Sequence, residues 1–273
     1  MTINLRGELI DLSQPKIMGI LNLTPDSFYD GGKFKSIESA LTQTEKMIRD
    51  GAFFIDLGAC SSRPGADEVG MEEEKKRLYP ILEKLIERFP NNYFSVDTYR
   101  SAIAEGCLSR GACMINDISG GQFDPAMMET VGKYCVPYVL MHIQGQPNVM
   151  QKKPAYKNVV QEILFYFSEK IQQAYSNCIN DIIIDPGFGF GKTLEHNFEL
   201  IKNLELFQNL EQPLLIGISR KSMIYKKLET TPDKALNGTT VLHTAAIIKG
   251  ANILRVHDVK EAKECIDLLQ ALQ

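Results

Sequence analysis

No apolar stretch in this chain approaches the roughly 18 residues needed to cross a membrane as a helix. The opening Met1-Thr2-Ile3-Asn4-Leu5-Arg6 has none of the basic, apolar and small-residue blocks of an export signal, so a soluble, cytoplasmic protein is expected. Long lysine or arginine runs are missing too, and the formal net charge is −4, which argues against nucleic acid as the main partner. A local positive site for a small anion stays open, because it needs only a few cations. The six cysteines, at 60, 107, 113, 135, 178 and 265, include no CxxC spacing and no accompanying histidine cluster. Neither a zinc centre nor a disulfide framework is indicated, and the thiols read as reduced. Cys60 has no local base or cationic helix end to make it a nucleophile. No low-complexity linker or shift in composition divides the chain, so residues 1–273 are expected to form one domain.

What is present is a regular alternation. Short runs rich in β-branched and aromatic residues occur at Lys16-Asn22, Phe53-Gly58, Tyr93-Asp97, Cys113-Asp117, Tyr138-His142, Ile182-Asp185, Leu214-Ile218 and Asn252-Val256, each bounded by turn formers. Between them the apolar period becomes helical, as in Val160, Ile163, Leu164, Phe167, Ile171 and Ala174. Pro80 is expected to break or kink the run from Met71 to Phe89, leaving Ile81, Leu82, Leu85, Ile86 and Phe89 on the buried face of its second piece. Eight strands alternating with helices fit an α/β fold, a closed (β/α)8 TIM barrel of about 250 residues, better than an open doubly wound sheet. The leftover Thr2-Leu12, with Arg6-Gly7 at its centre, reads as an N-terminal β-hairpin closing the bottom of the barrel.

In such a barrel the functional groups sit at the carboxyl ends of the strands, and nearly every strand here ends in a polar residue. Ile182-Ile183-Ile184 delivers Asp185 into Pro186-Gly187-Phe188-Gly189-Phe190-Gly191-Lys192-Thr193, a loop of glycines and phenylalanines. Asp185 could instead be a helix N-cap or a loop brace. With Asp97 and Asn116 at two other strand ends and Lys221 after a third, it makes a set able to satisfy a flat heterocycle carrying amino, ring N–H and carbonyl groups along one edge. If no ligand is bound there, Asp185 must be ion-paired with Lys221, since burying either charge alone costs several kcal/mol. A second constellation is cationic: Arg63, Arg255 and His257, with Asn22 as an oxygen donor able to help hold a magnesium ion. These suit a diphosphate, because arginine forks match phosphate oxygens and Mg²⁺ favours sites completed by phosphate and water. Arg63 read alone is a solvated loop arginine, but its setting in Ser61-Ser62-Arg63-Pro64-Gly65 stiffens the backbone around it.

Taken together, these segments closely resemble those of the dihydropteroate synthases. The likeness runs from Gly19-Ile20-Leu21-Asn22-Leu23-Thr24-Pro25-Asp26-Ser27-Phe28 through Ser61-Ser62-Arg63-Pro64-Gly65-Ala66, Ser95-Val96-Asp97-Thr98, Ile115-Asn116-Asp117, the Asp185 loop and Gly217-Ile218-Ser219-Arg220-Lys221-Ser222 to Arg255-Val256-His257-Asp258. The resemblance implies a barrel enzyme of folate biosynthesis that joins p-aminobenzoate to 6-hydroxymethyl-7,8-dihydropterin diphosphate with the help of Mg²⁺. It further implies that Asp97, Asn116, Asp185 and Lys221 meet the pterin edge and that Arg255 is a platform under the ring. By the same likeness Asn22, Arg63, Arg255 and His257 hold diphosphate and magnesium, Phe28, Ser62, Pro64 and Phe190 wall the p-aminobenzoate site, and Ser222 lies near its carboxylate. A homodimer through the last helices is also implied. The chain departs from the family's usual pattern at Ser62, commonly Thr, at Cys60, often Glu, and at Ile143 and Gln146, where Met and Thr are commoner.

The expected chemistry is loss of diphosphate first, the dihydropterin ring delocalising the methylene cation, followed by attack of the neutral arylamine. No general base is required, so His142 and His196 read as structural. The glycine-, serine- and proline-rich loops at Asp30-Gly31-Gly32 and at 61–70 are expected to close over diphosphate and only then complete the arylamine site. The nearest alternative is a pterin-dependent (methyltetrahydrofolate) methyltransferase, which would share Asp97, Asn116 and Asp185 but has no use for a diphosphate site. A catalytically silent pterin-binding protein would keep the pocket and lose the residues of the first two loops.

Overall fold

The computed structural model describes residues 1–23, 32–59, 69–146, 150 and 154–272, with side chains in the first helix from 37 onward. The chain opens with a hairpin of β1 (Thr2–Leu5) and β2 (Glu8–Asp11) around Arg6-Gly7, both at positive φ. Strands and helices then alternate: β3 (Lys16–Asn22), α1 (Gly32–Arg49), β4 (Phe54–Gly58), α2 (Met71–Arg88), β5 (Tyr93–Asp97), α3 (Ser101–Leu108), β6 (Met114–Asp117) and α4 (Met127–Tyr134). The second half continues with β7 (Tyr138–Met141), α5 (Val159–Ser176), β8 (Ile182–Asp185), α6 (Leu194–Lys202), β9 (Leu215–Ile216), α7 (Ser222–Lys227), α8 (Leu236–Ile248), β10 (Ile253–Val256) and α9 (Val259–Gln270).

The eight strands β3 to β10 are all parallel, in the order β8-β7-β6-β5-β4-β3-β10-β9. A bridge between Ile184 and Leu214, with the Ile184 N–H donating to Pro213 O at 2.9 Å, joins the two ends and closes the barrel. The expected strands therefore form, most of them within a residue of their anticipated bounds. Only β9 is markedly shorter, its ladder stopping at Ile216 before Gly217.

Strand side chains alternate between the barrel interior and the helices, and the apolar contacts divide the same way. Ile17, Ile55, Leu57, Phe94, Val96, Ile115, Leu140, Ile182, Ile184 and Ile216 join the cluster that packs under the helices. Met18, Phe54, Met114, Val139, Ile183, Leu215 and Ile253 form a second, interior cluster with Ile3, Leu5 and Leu12 of the hairpin segment. The hairpin thus seals the amino-terminal end with hydrocarbon, and the interior becomes polar only toward the other end.

Pro80 does not divide the helical run. Helix α2 continues across it for 18 residues, with Leu78, Ile81, Leu82 and Leu85 buried on both sides. Proline removes one hydrogen-bond donor, a loss outweighed here by an unbroken apolar stripe against the barrel. Glu74, also buried, accepts from Thr98 Oγ1 at 2.8 Å and pairs with Arg100, tying α2 to the turn after β5.

The plug carries a testable load. Leu5 is fully buried, so Leu5→Ala should destabilise the protein by about 2–4 kcal/mol in denaturant titrations. Ligand affinity in the surviving folded fraction should be unchanged, since the site lies at the opposite end.

Candidate active site

Above the apolar plug, the next interior positions along the strands are Asp56 on β4, Asn116 on β6, Asp185 on β8 and Arg255 on β10, two residues beyond Phe54, Met114, Ile183 and Ile253. Asp97 ends β5, beside Asn116 in the ladder. Arg255 joins two carboxylates at once: Nε donates to Asp56 Oδ2 and Nη2 to Asp97 Oδ2, each at 2.7 Å. Asn116 Nδ2 donates to the same Asp56 Oδ2 at 2.8 Å. Four side chains from four strands are thus locked in one network on the barrel axis.

Asp185 accepts the Gly187 N–H at 2.8 Å, and a Cβ placed on Gly217 would lie 3.7 Å from both Asp185 Oδ2 and Lys221 Nζ. Any side chain at 217 would enter the space between these charges. Yet Asp185 and Lys221 form no ion pair within 4 Å, contrary to what an unliganded site was expected to need. Lys221 Nζ instead donates to Phe188 O at 2.6 Å and lies 4.6 Å from the Phe190 ring centroid. A carbonyl and an aromatic face satisfy the ammonium, so Asp185 keeps one oxygen for other use.

The electrostatics follow from three carboxylates sharing two cations. Burial, reinforced by Asp56 and Asp117 and opposed by Arg255, pushes Asp97 up to about 7. Burial likewise raises Asp185 against the pull of Lys221. Burial brings Lys221 down to about 8 in spite of Asp185. Arg255 would be lowered by burial, but Asp56 and Asp97 hold it above its usual range.

The loop after β8 is fixed from beneath. Gly187 and Gly191 both adopt positive φ, and a Cβ on either would collide with a carbonyl oxygen, of His142 and Gln144 respectively. Lys192, buried with no carboxylate partner, places Nζ 3.0 Å from His142 Nδ1, 2.9 Å from Gly187 O and 3.0 Å from Phe190 O. Burial, only partly offset by Asp185, keeps Lys192 well below the ordinary lysine range. Burial and then Lys192 hold His142 well below its own. Asn197 Oδ1 receives the Gly189 N–H at 2.7 Å, and His196 completes the capping box of α6 with Thr193. Both histidines are thereby engaged in holding loops.

At the rim, the His257 N–H donates to Ser219 Oγ at 3.2 Å, and its ring Nδ1 lies 3.1 Å from the same oxygen. Arg220 grips Asp258 in bidentate fashion, at 2.7 and 2.8 Å, so the loops after β9 and β10 are clasped together. Asn22 ends β3 opposite Gly58, whose own neighbour is Asp97. Ser222 opens α7 directly after Lys221.

Of the residues singled out in the sequence, Asp97, Asn116, Asp185, Lys221, Arg255 and Phe190 therefore converge, with Asn22, Ser222 and His257 at the same end of the barrel. Phe28, Ser62, Arg63 and Pro64, like Cys60, lie outside the described residues. The sequence reading missed Asp56 and the bracing role of Lys192. Asp56 was discoverable by parity, because it shares the inward face of β4 with Phe54 and Gly58.

An interior carboxylate cluster at the carboxyl end of a closed parallel barrel defines a (β/α)8 enzyme that grips a small polar ring. Residues 18–257 match the model of the pterin binding enzymes, and the chain belongs to that family. Within it the chain stands among the dihydropteroate synthases. It is 43% identical to the dihydropteroate synthase of Haemophilus influenzae over 97% of this chain and 96% of that protein. It superposes on a Yersinia pestis dihydropteroate synthase in a sulfonamide drug complex with a TM-score of 0.93 at 42% identity, covering 100% of this chain and 99% of that one. A Xanthomonas albilineans dihydropteroate synthase with 4-aminobenzoic acid gives 0.92 at 35% identity, covering 100% and 98%.

Asp97 offers a sign-specific test. An acid raised from 3.8 to about 7 in the folded state binds its proton more tightly there than when unfolded. The stability it contributes is therefore lost as pH rises through that interval. Asp97→Asn removes this loss, so the variant should gain stability relative to the wild type between those two values. Parallel stability–pH curves from denaturant titrations would refute the assignment.

Proposed function

We propose that this site carries out the dihydropteroate synthase reaction. It would join p-aminobenzoate to the methylene carbon of 6-hydroxymethyl-7,8-dihydropterin diphosphate and release diphosphate, a step of folate biosynthesis. The observation that carries this reading is the convergence of Asp97, Asn116 and Asp185, all able to accept, with the donors Lys221 and Arg255 at one end of the barrel interior. A pterin edge offers ring N–H and amino donors to the acids and a carbonyl to the ammonium. Asp185, with one oxygen uncommitted, takes the amine and ring N–H; Lys221 serves the carbonyl. Arg255 has Nε and Nη2 engaged in its own plane, which suits a flat platform under the ring better than a phosphate clamp.

In this reading the C–O bond to diphosphate breaks first, in an SN1-like step. The ring delocalises the methylene cation while Arg63, His257 and Asn22 receive the departing anion. Groups of this kind are each commonly worth about 3–4 kcal/mol. The arylamine, walled by Phe28, Ser62, Pro64 and Phe190 with Ser222 toward its carboxylate, then attacks the cation, and the anilinium so formed, a strong acid, gives its proton to water or to the departing diphosphate. A neutral amine needs no strong base, and the described histidines in the barrel loops are occupied elsewhere. A sulfonamide would occupy this same arylamine space.

Among the described residues no three His, Cys, Asp or Glu side chains gather into a metal cage. The donor set fits a Mg²⁺ ion that arrives on the diphosphate, with the Asn22 carboxamide oxygen as its protein ligand. When bound, the ion would neutralise charge on the leaving group. The methyltransferase alternative gains nothing from the relatives described, which are synthases.

A homodimer is part of the proposal. Val241 and Ile248 on helix α8, Leu228 after α7 and Leu268 on α9 are large apolar side chains left 57%, 70%, 56% and 71% exposed. Large apolar side chains left in water on the last helices mark a surface that a second copy of the chain could cover. A cytoplasmic setting agrees with the free thiols at 107, 113, 135, 178 and 265. Among the described residues no helix is long and apolar enough to cross a membrane.

Mixing both substrates with Mg²⁺ should release one diphosphate per dihydropteroate formed, and the absence of release would overturn the reading. Crystals soaked with the diphosphate substrate and Mg²⁺ alone should hold separated pterin and diphosphate. Substrate that stays intact until arylamine is added would instead establish a concerted displacement. For the assembly, Ile248→Asp should convert a dimer into a monomer in sedimentation analysis, and an unchanged mass would place the contact elsewhere.

A further inference from the structure

Asp56 lies in the middle of a strand, is wholly buried, and touches no position expected for substrate, yet two of the proposed pterin-site residues hang on one of its oxygens. Its Oδ2 receives Asn116 Nδ2 at 2.8 Å and Arg255 Nε at 2.7 Å, while its Oδ1 is buried with no partner. Arg255 in turn reaches Asp97. A carboxylate paired with a guanidinium accepts and does not donate. Asn116 must therefore turn its nitrogen toward Asp56, which leaves its carbonyl oxygen as the atom offered to a ligand.

We infer that Asp56 is a positioning residue that fixes the Asn116 amide as an acceptor and the Arg255 plane as a platform, and so sets the ring specificity of the site. The inference rests on the pterin reading above and deepens it. The exocyclic amine has two N–H bonds, one for Asp185 and one for the Asn116 oxygen; the same ring bearing an oxo group there meets an oxygen on both sides. Discrimination between the two depends on the amide being unable to flip, and Asp56 is what prevents the flip.

Two substitutions separate Asp56's roles. Asp56→Asn can keep a carbonyl oxygen where Oδ2 stands, so both hydrogen bonds survive and only the charge is lost. Asp56→Ala removes the acceptor altogether. The charge matters to Asp97, which is faced by Arg255 from β10, Asp56 from β4, Asp117 from β6, Glu74 from α2 and Lys221 from the loop after β9. Taking away the Asp56 charge removes one repulsion and lowers the pH at which Asp97 ionises.

Binding of 6-hydroxymethylpterin and of its 2-oxo analogue is measured by calorimetry across pH for the wild type and both variants, with folding checked by thermal melts. In Asp56→Ala the preference for the amino ring should fall about tenfold or more, since an anchored polar group is what rejects the wrong partner. The p-aminobenzoate KM of that variant should stay within about twofold, as uniform loss of fold would not leave one substrate untouched. Asp56→Asn should retain the preference, and its acid midpoint for pterin binding should move to lower pH. A folded Ala variant with wild-type preference overturns the inference, and so does an Asn variant whose midpoint does not move. If the Ala variant fails to fold, the Asn midpoint decides alone. A wild-type protein that binds no pterin would instead overturn the functional reading on which all of this stands.

Discussion

Everything at the open end of this barrel depends on one guanidinium serving two carboxylates, one buried and one half-buried. Arg255 holds Asp56 with one nitrogen and Asp97 with another, and Asp56 passes the constraint on to Asn116. Three acids, counting Asp185, stand against two cations, so the interior carries an excess of negative charge that its own residues do not cancel. Asp97, raised chiefly by burial and further by its acidic neighbours against the pull of Arg255, is pushed up to about 7. A ligand that brings N–H donors relieves the excess. Such an arrangement is poor at stabilising a fold, because each buried ion costs hydration that pairing only partly returns. It is well suited to recognising a ring whose edge supplies the missing donors.

The surroundings keep that network from relaxing. Below it the interior is hydrocarbon, supplied by seven strands and the hairpin segment. Beside it, Lys192 holds the Phe188–Phe190 loop by its carbonyls, and the loop in turn gives Lys221 its resting partner. The Arg220–Asp258 fork fixes the two loops that carry Lys221 and His257. Preorganisation of this kind places the groups before substrate arrives, which is how fixed dipoles and charges stabilise a developing charge without reorganising at the moment of reaction.

Much of this was legible in the sequence, for identifiable reasons. Branched aliphatic runs that stop at a polar residue marked the strand ends, so Asp97, Asn116 and Asp185 could be placed on one rim before any coordinates existed. Asp56 escaped because it is flanked by Ile55 and Leu57 and ends nothing; only the inside–outside alternation of a closed barrel gives it meaning. Nothing local in the sequence marked Lys192, and its burial among carbonyls is a tertiary fact. Pro80 suggested a break or a kink, and the break does not occur, since packing on both sides of the proline keeps the helix continuous. The absent Asp185–Lys221 ion pair shows the same limit: charge alone suggested the partners, while the loop backbone offered Lys221 a nearer one.

The apolar floor has a kinetic consequence for the proposed reaction. Because hydrocarbon closes one end, the interior is a well with a single mouth, and molecules must stack in it rather than pass through. Whatever sits on the floor, against Arg255 and Asp185, has to descend first and climb out last, with later arrivals and departing fragments moving above it. In the proposed reaction, traffic would therefore be ordered by depth, a rule imposed by the strand and hairpin side chains that together fill the floor.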